Sequence, residues 1–178
     1  VGAVTLNGTT ITGTGTINLA GNVTSLAAST TAVINPAINL GSVNRTFTVN
    51  DSPVVPDLNL TGIISGTGGI IKDGTGSMNL SNAGNSYSGS TVINQGILRV
   101  NAAGGAIPNG SAVIVNSTLD LNGFSETIGS LAGSGTVTSN AAGSIVLTTG
   151  GDNLSTSFTG IIQNGSSTSL GIIKTGNG

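Results

Sequence analysis

The sequence predicts an all-β chain folded as a right-handed parallel β-helix, a solenoid with short strands and corners rich in Gly, Asn and Ser. Three observations support this fold class: a repeated motif, an unusual composition, and short segments in which apolar and polar residues alternate. In a solenoid, each repeat unit buries its apolar face only by stacking on its neighbours. We therefore expect residues 1–178 to form a single β-helical segment.

The repeated motif is seen most fully in residues 62–76, which read GIISGTGGIIKDGTG. Shorter copies occur at residues 160–165 (GIIQNG) and 171–178 (GIIKTGNG). Self-similarity at a fixed spacing indicates a repeat architecture. The alignment places Lys72 and Lys174 in equivalent positions about four turns apart, too distant to cooperate. We expect each to be a solvated turn residue that discourages edge pairing.

The composition separates this chain from disordered and ordinary globular proteins. It contains 30 Gly, 6% charged and 2% aromatic residues, whereas average chains have about 7% Gly and roughly 25% charged residues. A net charge of only -2 and β-branched residues throughout the chain argue against disorder and favour strands. With three Phe, one Tyr and no Trp, the core must be aliphatic, which favours a solenoid over a sandwich.

Several classes of function are disfavoured by residues that the chain lacks. It contains no Cys and no His, which excludes disulfides, thiolate metal sites and His-dependent catalytic triads. No apolar run approaches the roughly 20 residues needed to cross a bilayer. Four basic residues are too few for a nucleic-acid surface. We expect no cofactor, no nucleic-acid partner and no membrane insertion of this segment.

Seven short segments alternate with period two and are predicted to be strands. In chain order they are residues 16–19, 45–49, 57–60, 77–80, 96–100, 118–121 and 135–138. Asn-Gly pairs between them supply residues that tolerate the positive φ of tight corners. With about 20 residues per turn and about 4.8 Å between turns, the chain would form eight to nine turns over about 40 Å. The interior would stack side chains such as Leu58, Leu60, Leu98, Val100, Leu119 and Leu121, with ladders of Asn, Thr and Ser outside.

The middle of the chain carries a longer motif. Residues 69–81 read GIIKDGTGSMNLS and are continued by NSYSGSTVINQGIL at residues 85–98. These residues resemble a known family, the autotransporter-associated β-strand repeat. Residues 119–131, LDLNGFSETIGSL, look like the stretch that commonly follows in such passengers. The resemblance covers roughly residues 62–178. It implies a right-handed parallel β-helix in a secreted or surface-displayed bacterial protein, and no particular activity.

Acidic residues provide the only candidates for catalysis. They are Asp51, Asp57, Asp73, Asp120, Glu126 and Asp152. Parallel β-helices include polysaccharide hydrolases and lyases, and Asp51 and Asp73, about one turn apart, fit the spacing of a glycosidase pair. Gly neighbours instead indicate turn-forming roles for the acidic residues, and the chain lacks basic residues to hold an acidic polysaccharide. We predict no catalytic residue.

Three further features suggest a metal or ligand site but also fit a purely structural role. Residues 150–153 (GGDN) offer oxygen ligands for calcium, but a calcium site needs several carboxylates in register. Tyr87, the only tyrosine, matches the turn aromatic of the resembled family and is expected to be a packing lid. Thr12, Thr14 and Thr16 do not recur at turn spacing as the Thr ladder of an ice-binding solenoid would. We predict no metal site and no ligand site at these positions.

The leading functional hypothesis is a structural and adhesive segment of an extracellular bacterial fibre or autotransporter passenger, acting as a spacer and interaction surface. The alternatives are a carbohydrate-active β-helix enzyme or carbohydrate-binding module, and a self-assembling fibre protomer that stacks end to end. Expected partners are other repeats of the same chain, neighbouring copies and surface glycans. Because the terminal apolar runs carry no caps, we expect an interior piece of a longer chain.

Overall fold

The chain folds as a parallel β-solenoid. The computed structural model describes all residues from Val1 to Gly178, and they form strands and turns without any helix. The strands wind through about eight turns, and every strand pair is parallel. No helix is therefore available to cross a membrane. The all-β, parallel β-helical fold predicted from the sequence is confirmed.

The strands are short and follow one another at regular intervals. The first three turns contain β1 (Val4–Leu6), β2 (Thr10–Ile11), β3 (Thr16–Asn18), β4 (Val23–Ser25), β5 (Ala32–Ile34), β6 (Ala37–Asn39), β7 (Arg45–Val49), β8 (Leu58–Leu60) and β9 (Ile64–Ser65). The next two turns contain β10 (Ile70–Asp73), β11 (Ser77–Leu80), β12 (Thr91–Ile93) and β13 (Ile97–Val100). The remaining turns contain β14 (Val113–Val115), β15 (Thr118–Asp120), β16 (Glu126–Thr127), β17 (Leu131–Gly133), β18 (Thr136–Thr138), β19 (Ser144–Thr149), β20 (Ile161–Ile162) and β21 (Ser169–Lys174).

Stacking of the turns produces three faces, numbered here in chain order. The first face is the 7-stranded sheet β1-β4-β7-β10-β12-β14-β17, and the second is the 8-stranded sheet β2-β5-β8-β11-β13-β15-β18-β20. The third face consists of two 3-stranded sheets, β3-β6-β9 and β16-β19-β21. Between these two sheets the third face is irregular, although Ser86 and Ser88 still donate backbone hydrogen bonds to Ile64 and Gly66 at 2.8 and 3.0 Å.

The core is a set of aliphatic columns that run along the solenoid axis. On the second face, one inward column is formed by Leu58, Met78, Leu98, Leu119 and Val137, which are partners in register. All six side chains that the sequence places in the interior are fully buried. The core comprises 30 buried residues, of which only Phe47 and Tyr87 are aromatic. The prediction of an aliphatic interior that stacks like on like is thus confirmed.

All seven predicted strands occur in the structure. The predicted bounds of β7 and β11 are correct at both ends, and each of the other five strands is one residue shorter than predicted. This agreement follows from the alternation itself, since an inward residue must be apolar and an outward one is free to be polar.

The equivalence predicted for Lys72 and Lys174 is wrong. Lys72 lies in β10 on the first face, whereas Lys174 lies in β21 on the third face, paired with Thr149. Corners of unequal length between the two copies shift the second copy to a different face. Similar local sequence therefore does not guarantee the same position around a solenoid.

Candidate interaction surface

The outward side of the second face carries a continuous line of polar side chains. The line follows the strand register from turn to turn and consists of Asn59, Asn79, Arg99, Asp120 and Thr138. Asn59, Asn79, Arg99 and Asp120 each sit between inward apolar neighbours. Thr138 follows the inward Val137, so all five alternate with inward residues. Successive members are about 4.8 Å apart along the axis. We call these five residues the polar column.

A chain of side-chain hydrogen bonds borders the polar column at the corner that follows the second face. Asn122 Nδ2 donates to Asn101 Oδ1 at 3.2 Å, and Asn101 Nδ2 donates to Ser81 Oγ at 2.9 Å. Ser81 Oγ in turn donates to Asn59 Oδ1 at 2.6 Å. The relay links four turns and confirms that polar ladders line the outside. Because its members hold one another, the side chains beside the column have fixed orientations.

The only ion pair of the structure lies within the polar column. Arg99 Nε donates to Asp120 Oδ2 at 2.8 Å, and the two side chains are 15% and 0% exposed. Asp120 also accepts hydrogen bonds from the backbone N–H groups of Asn122 and Asn140, each at 2.9 Å, and from Asn140 Nδ2 at 3.2 Å. The carboxylate is therefore fully occupied. It cannot act as an acid, a base or a metal ligand without losing some of these hydrogen bonds.

Asn79 stands next to Arg99 in the column and differs from the other amides. It is 6% exposed, and its buried Oδ1 has no hydrogen-bond partner. Arg99 in turn engages Asp120 through Nε and leaves its terminal nitrogens out of that contact. The column thus contains an amide and a guanidinium whose hydrogen-bonding capacity exceeds what the fold uses.

Lys72 is buried, which corrects the prediction of a solvated turn residue. Its ammonium donates to the carbonyl oxygens of Asp73 at 2.9 Å, Gly74 at 2.7 Å and Gln95 at 3.1 Å. Burial lowers the pKa of Lys72 to about 8, against the opposing influence of nearby Asp73 and Asp57. Alternation from Ile70 turns this side chain inward, where it binds the corner of its own turn to the corner of the next.

The two carboxylates proposed for an enzymatic pair have different surroundings. Asp73 lies opposite Thr48 in the register of the first face, and its Oδ1 accepts a hydrogen bond from the N–H of Gly74 at 3.0 Å. Asp51 is exposed and lies three positions beyond Thr48, in the segment after β7. Asp73 therefore shapes the turn that follows β10.

Asp57 anchors a buried polar cluster at the corner between the first and second faces. Its Oδ2 accepts hydrogen bonds from the backbone N–H of Ser77 at 2.7 Å and from Ser77 Oγ at 3.0 Å. Its Oδ1 is bonded to Ser52 Oγ, and its backbone carbonyl accepts from Ser25 Oγ at 3.4 Å. The cluster connects three successive turns, which is a structural role.

Glu126 forms a second inter-turn clasp, on the third face. Its Oε2 accepts hydrogen bonds from the N–H groups of Ala106 at 2.8 Å and Ile107 at 3.1 Å, and Oε1 accepts from Thr127 at 3.1 Å. Burial raises the pKa of Glu126 to about 7 despite these three donors. A side chain at Gly105, where φ is +96°, would collide with the carboxylate. The clasp holds the irregular part of the third face against β16.

Tyr87 is fully enclosed, as expected for a packing residue. Its hydroxyl is 2.8 Å from Thr91 Oγ1, which is 3.0 Å from Ser111 Oγ. Ser111 Oγ donates to the carbonyl of Gly89 at 2.9 Å. Burial raises the pKa of Tyr87 above its ordinary value. The ring is inaccessible to a sugar, so it cannot serve as a stacking platform.

The remaining candidates from the sequence, Asp152 and Thr16, have separate structural partners. Asp152 Oδ1 accepts from the N–H of Leu154 at 3.1 Å, and no three Asp or Glu side chains come together in the structure as metal ligands. Thr16 pairs with Ala37, so no Thr ladder extends from it. A cavity of about 180 Å³ beside β19 and β21 is bordered by Leu131, Phe158 and other residues, none of them acidic.

Comparison with known proteins matches both the repeat and the chain as a whole. Residues 70–100, which include β10 to β13, match the passenger-associated-transport-repeat family. The adhesin BmaC autotransporter of Brucella suis biovar 1 (strain 1330) is 32% identical over 197 residues, an alignment that covers 96% of this chain and 6% of the relative. The chain thus spans a small part of the length of that relative. No solved structure matches.

The chain is thus a parallel β-solenoid that contains a repeat of the kind found in autotransporter passengers. More narrowly, the match to the passenger-associated-transport-repeat family covers the turns that carry Lys72, Asn79 and Arg99. The resemblance stated from residues 69–98 is confirmed.

Proposed function

We propose that this chain is a structural and adhesive segment of an extracellular bacterial passenger, in which it acts as a spacer and as an interaction surface. The observation that carries the proposal is the unbroken stack of about eight turns, apolar inside and lined with polar ladders outside. Such a stack transmits a fixed distance between its ends because each turn contacts only its neighbours. The similarity to an adhesin autotransporter supports the adhesive role and the surface location.

A non-enzymatic role is supported by the hydrogen bonds that the acidic side chains accept. Asp57, Asp73, Asp120, Glu126 and Asp152 all accept hydrogen bonds that hold turns in place. A general acid or base must instead reach a substrate and exchange a proton with it. The buried carboxylates are separated from solvent, and none of them borders the cavity beside β21.

The spacer and adhesion proposal is tested on bacteria that display the full-length passenger. One variant lacks this segment, and another carries in its place an unrelated β-solenoid with the same number of turns. At matched surface amounts of passenger, we expect the deletion to lower adhesion to host cells severalfold. The replacement should restore the part of adhesion that depends on the length of the passenger. Unchanged adhesion after deletion would overturn the proposal.

The enzymatic alternative is tested with the purified protein and a panel of bacterial and plant glycans. We expect no release of sugar products. Release that is abolished by Asp51→Asn or Asp73→Asn would show that the two carboxylates act on a substrate and that the non-enzymatic assignment is wrong.

A further inference from the structure

The chain contains five Asn-Gly pairs, and the fold does not need one of them for its turn. Gly8, Gly123 and Gly165, which complete three of the pairs, have positive φ values of 59°, 81° and 62°. Gly110 does not have a positive φ, and a Cβ atom added to it would meet nothing within 4 Å. The corner at Asn109-Gly110 would therefore accept a larger residue at position 110 without strain.

The Asn109-Gly110 corner also lacks the contacts that would hold an Asn side chain and the next peptide in place. Both residues are exposed. The N–H of Gly110 donates no hydrogen bond, and a single backbone bond closes the corner, from the N–H of Ser111 to the carbonyl of Pro108 at 2.8 Å. The amide carbon of Asn109 and the backbone nitrogen of Gly110 are therefore free to approach each other.

The other Asn-Gly pairs are restrained by neighbouring parts of the chain. Asn122 Nδ2 donates to Asn101 Oδ1 at 3.2 Å, and the N–H of Gly123 donates to Ser139 Oγ at 2.8 Å. These two bonds hold both groups that would have to meet. Each of the remaining three pairs has one restraining hydrogen bond, made by Asn164 with Leu170 at 2.9 Å, by Gly8 with Thr30 at 2.7 Å and by Asn177 with Asn153 at 3.0 Å.

We propose that Asn109 is a site of spontaneous deamidation, for which the reactants are the chain itself and water. The backbone nitrogen of Gly110 loses its proton to hydroxide and bonds to Cγ of Asn109. The Cγ–Nδ2 bond then breaks and releases ammonia, which takes up a proton from water. Water opens the resulting succinimide ring at either carbonyl and leaves an aspartate or an isoaspartate at position 109. The attack is intramolecular, which removes the entropy cost of bringing two molecules together.

The corner lies between two anchors, so we expect the product to remain folded. On one side, the N–H groups of Ala106 and Ile107 donate to Glu126. On the other side, Ser111 Oγ donates to the carbonyl of Gly89 at 2.9 Å. The reaction therefore adds one negative charge to the surface of a chain whose formal net charge is -2, and it does so without an enzyme. This inference goes beyond the proposed function and does not depend on it.

The test uses the purified passenger that contains this segment, incubated at mildly alkaline pH and sampled over several weeks. Peptide mass mapping locates each deamidated Asn, and electron-transfer fragmentation distinguishes isoaspartate from aspartate. The variants are Gly110→Ala, whose added Cβ fits the corner but hinders the attack on Cγ, and Asn109→Asp, which represents one product. The denatured passenger is the matched control, because its Asn-Gly pairs have no folded contacts.

We expect Asn109 to deamidate about tenfold faster than Asn122 in the native passenger, because the bonds that hold Asn122 and Gly123 must break before they react. In denaturant the two rates should converge. The rate at Asn109 should rise with pH, and Gly110→Ala should lower it severalfold without changing the melting temperature. Asn109→Asp should also melt like the wild type.

Several results would overturn the inference. One is an unreactive Asn109 in the native passenger while the denatured control reacts, and another is a native rate at Asn122 that equals or exceeds the rate at Asn109. Unchanged deamidation in Gly110→Ala would contradict attack by the backbone nitrogen. A lower melting temperature of Asn109→Asp would contradict the claim that the two anchors keep the modified corner folded.

Discussion

Two copies of one local sequence, Ile-Ile-Lys-x-Gly, have different surroundings in this solenoid. Lys72 and Lys174 both donate hydrogen bonds to the carbonyls one and two positions further along the chain. Lys72 is fully buried and reaches a third carbonyl, that of Gln95 in the next turn, whereas Lys174 is exposed. The two copies thus form the same local turn on different faces, and Lys72 in addition joins its own turn to the next one.

The largest expected effect comes from removing each lysine in turn. Lys72→Ala leaves a cavity and three carbonyls without their donor, so we expect the free energy of unfolding to fall by about 3–5 kcal/mol. Lys174→Ala, in the same local sequence, should change it little. Chemical denaturation of the two variants measures the difference. Equal losses would mean that the shared turn, rather than stacking, determines the role of the lysine.

A pH titration extends the comparison to Glu126, a second charged group enclosed between turns. Its pKa is raised from 4.5 to about 7 in the folded chain, so its contribution to stability is fully present below about pH 4.5 and is lost as the pH rises through 7. This difference between the two pKa values corresponds to a change of about 3 kcal/mol in the free energy of unfolding. We expect Glu126→Gln to remove this part of the pH dependence of unfolding. A variant with the wild-type profile would contradict the assignment.

Adjacent glycines provide a matched test of the same clasp. Gly104 and Gly105 both have positive φ, +88° and +96°, but only an added Cβ at Gly105 would meet Glu126. Gly104→Ala should cost about 1 kcal/mol in backbone strain, and Gly105→Ala should cost about 2–3 kcal/mol because the carboxylate is also displaced. Thermal unfolding at two pH values would compare them. If Gly104→Ala lowers the free energy of unfolding more than Gly105→Ala does, the clasp does not limit stability.

The smallest expected effect concerns the hydroxyl of Tyr87. Tyr87→Phe removes the contact with Thr91 and preserves the ring, so the loss should be about 1 kcal/mol. Denaturant midpoints are sufficient to detect it. A loss as large as that of Lys72→Ala would indicate that the chain of hydroxyls, and not the ammonium, is the main polar link between turns.

The alternating pattern was sufficient to predict the fold class, the seven strands and the inward columns. It also contained a signal for the polar column, because Asn59, Asn79, Arg99 and Asp120 each occupy the middle of an apolar-x-apolar triplet. The burial of Lys72 does not follow from its place near a Gly, which is typical of an exposed turn, although alternation from Ile70 turns the side chain inward. The face occupied by Lys174 depends on the summed corner lengths, which periodicity does not specify.

The most direct test of the account is the rate at which an amine-reactive ester labels the two lysines of the native chain, followed by peptide mass mapping. Lys174 should be labelled readily, and Lys72 should stay protected until the chain unfolds, because a stacked turn encloses it. In denaturant the two rates should converge. Equal labelling of both lysines in the native chain would contradict the claim that stacking, rather than local sequence, buries Lys72.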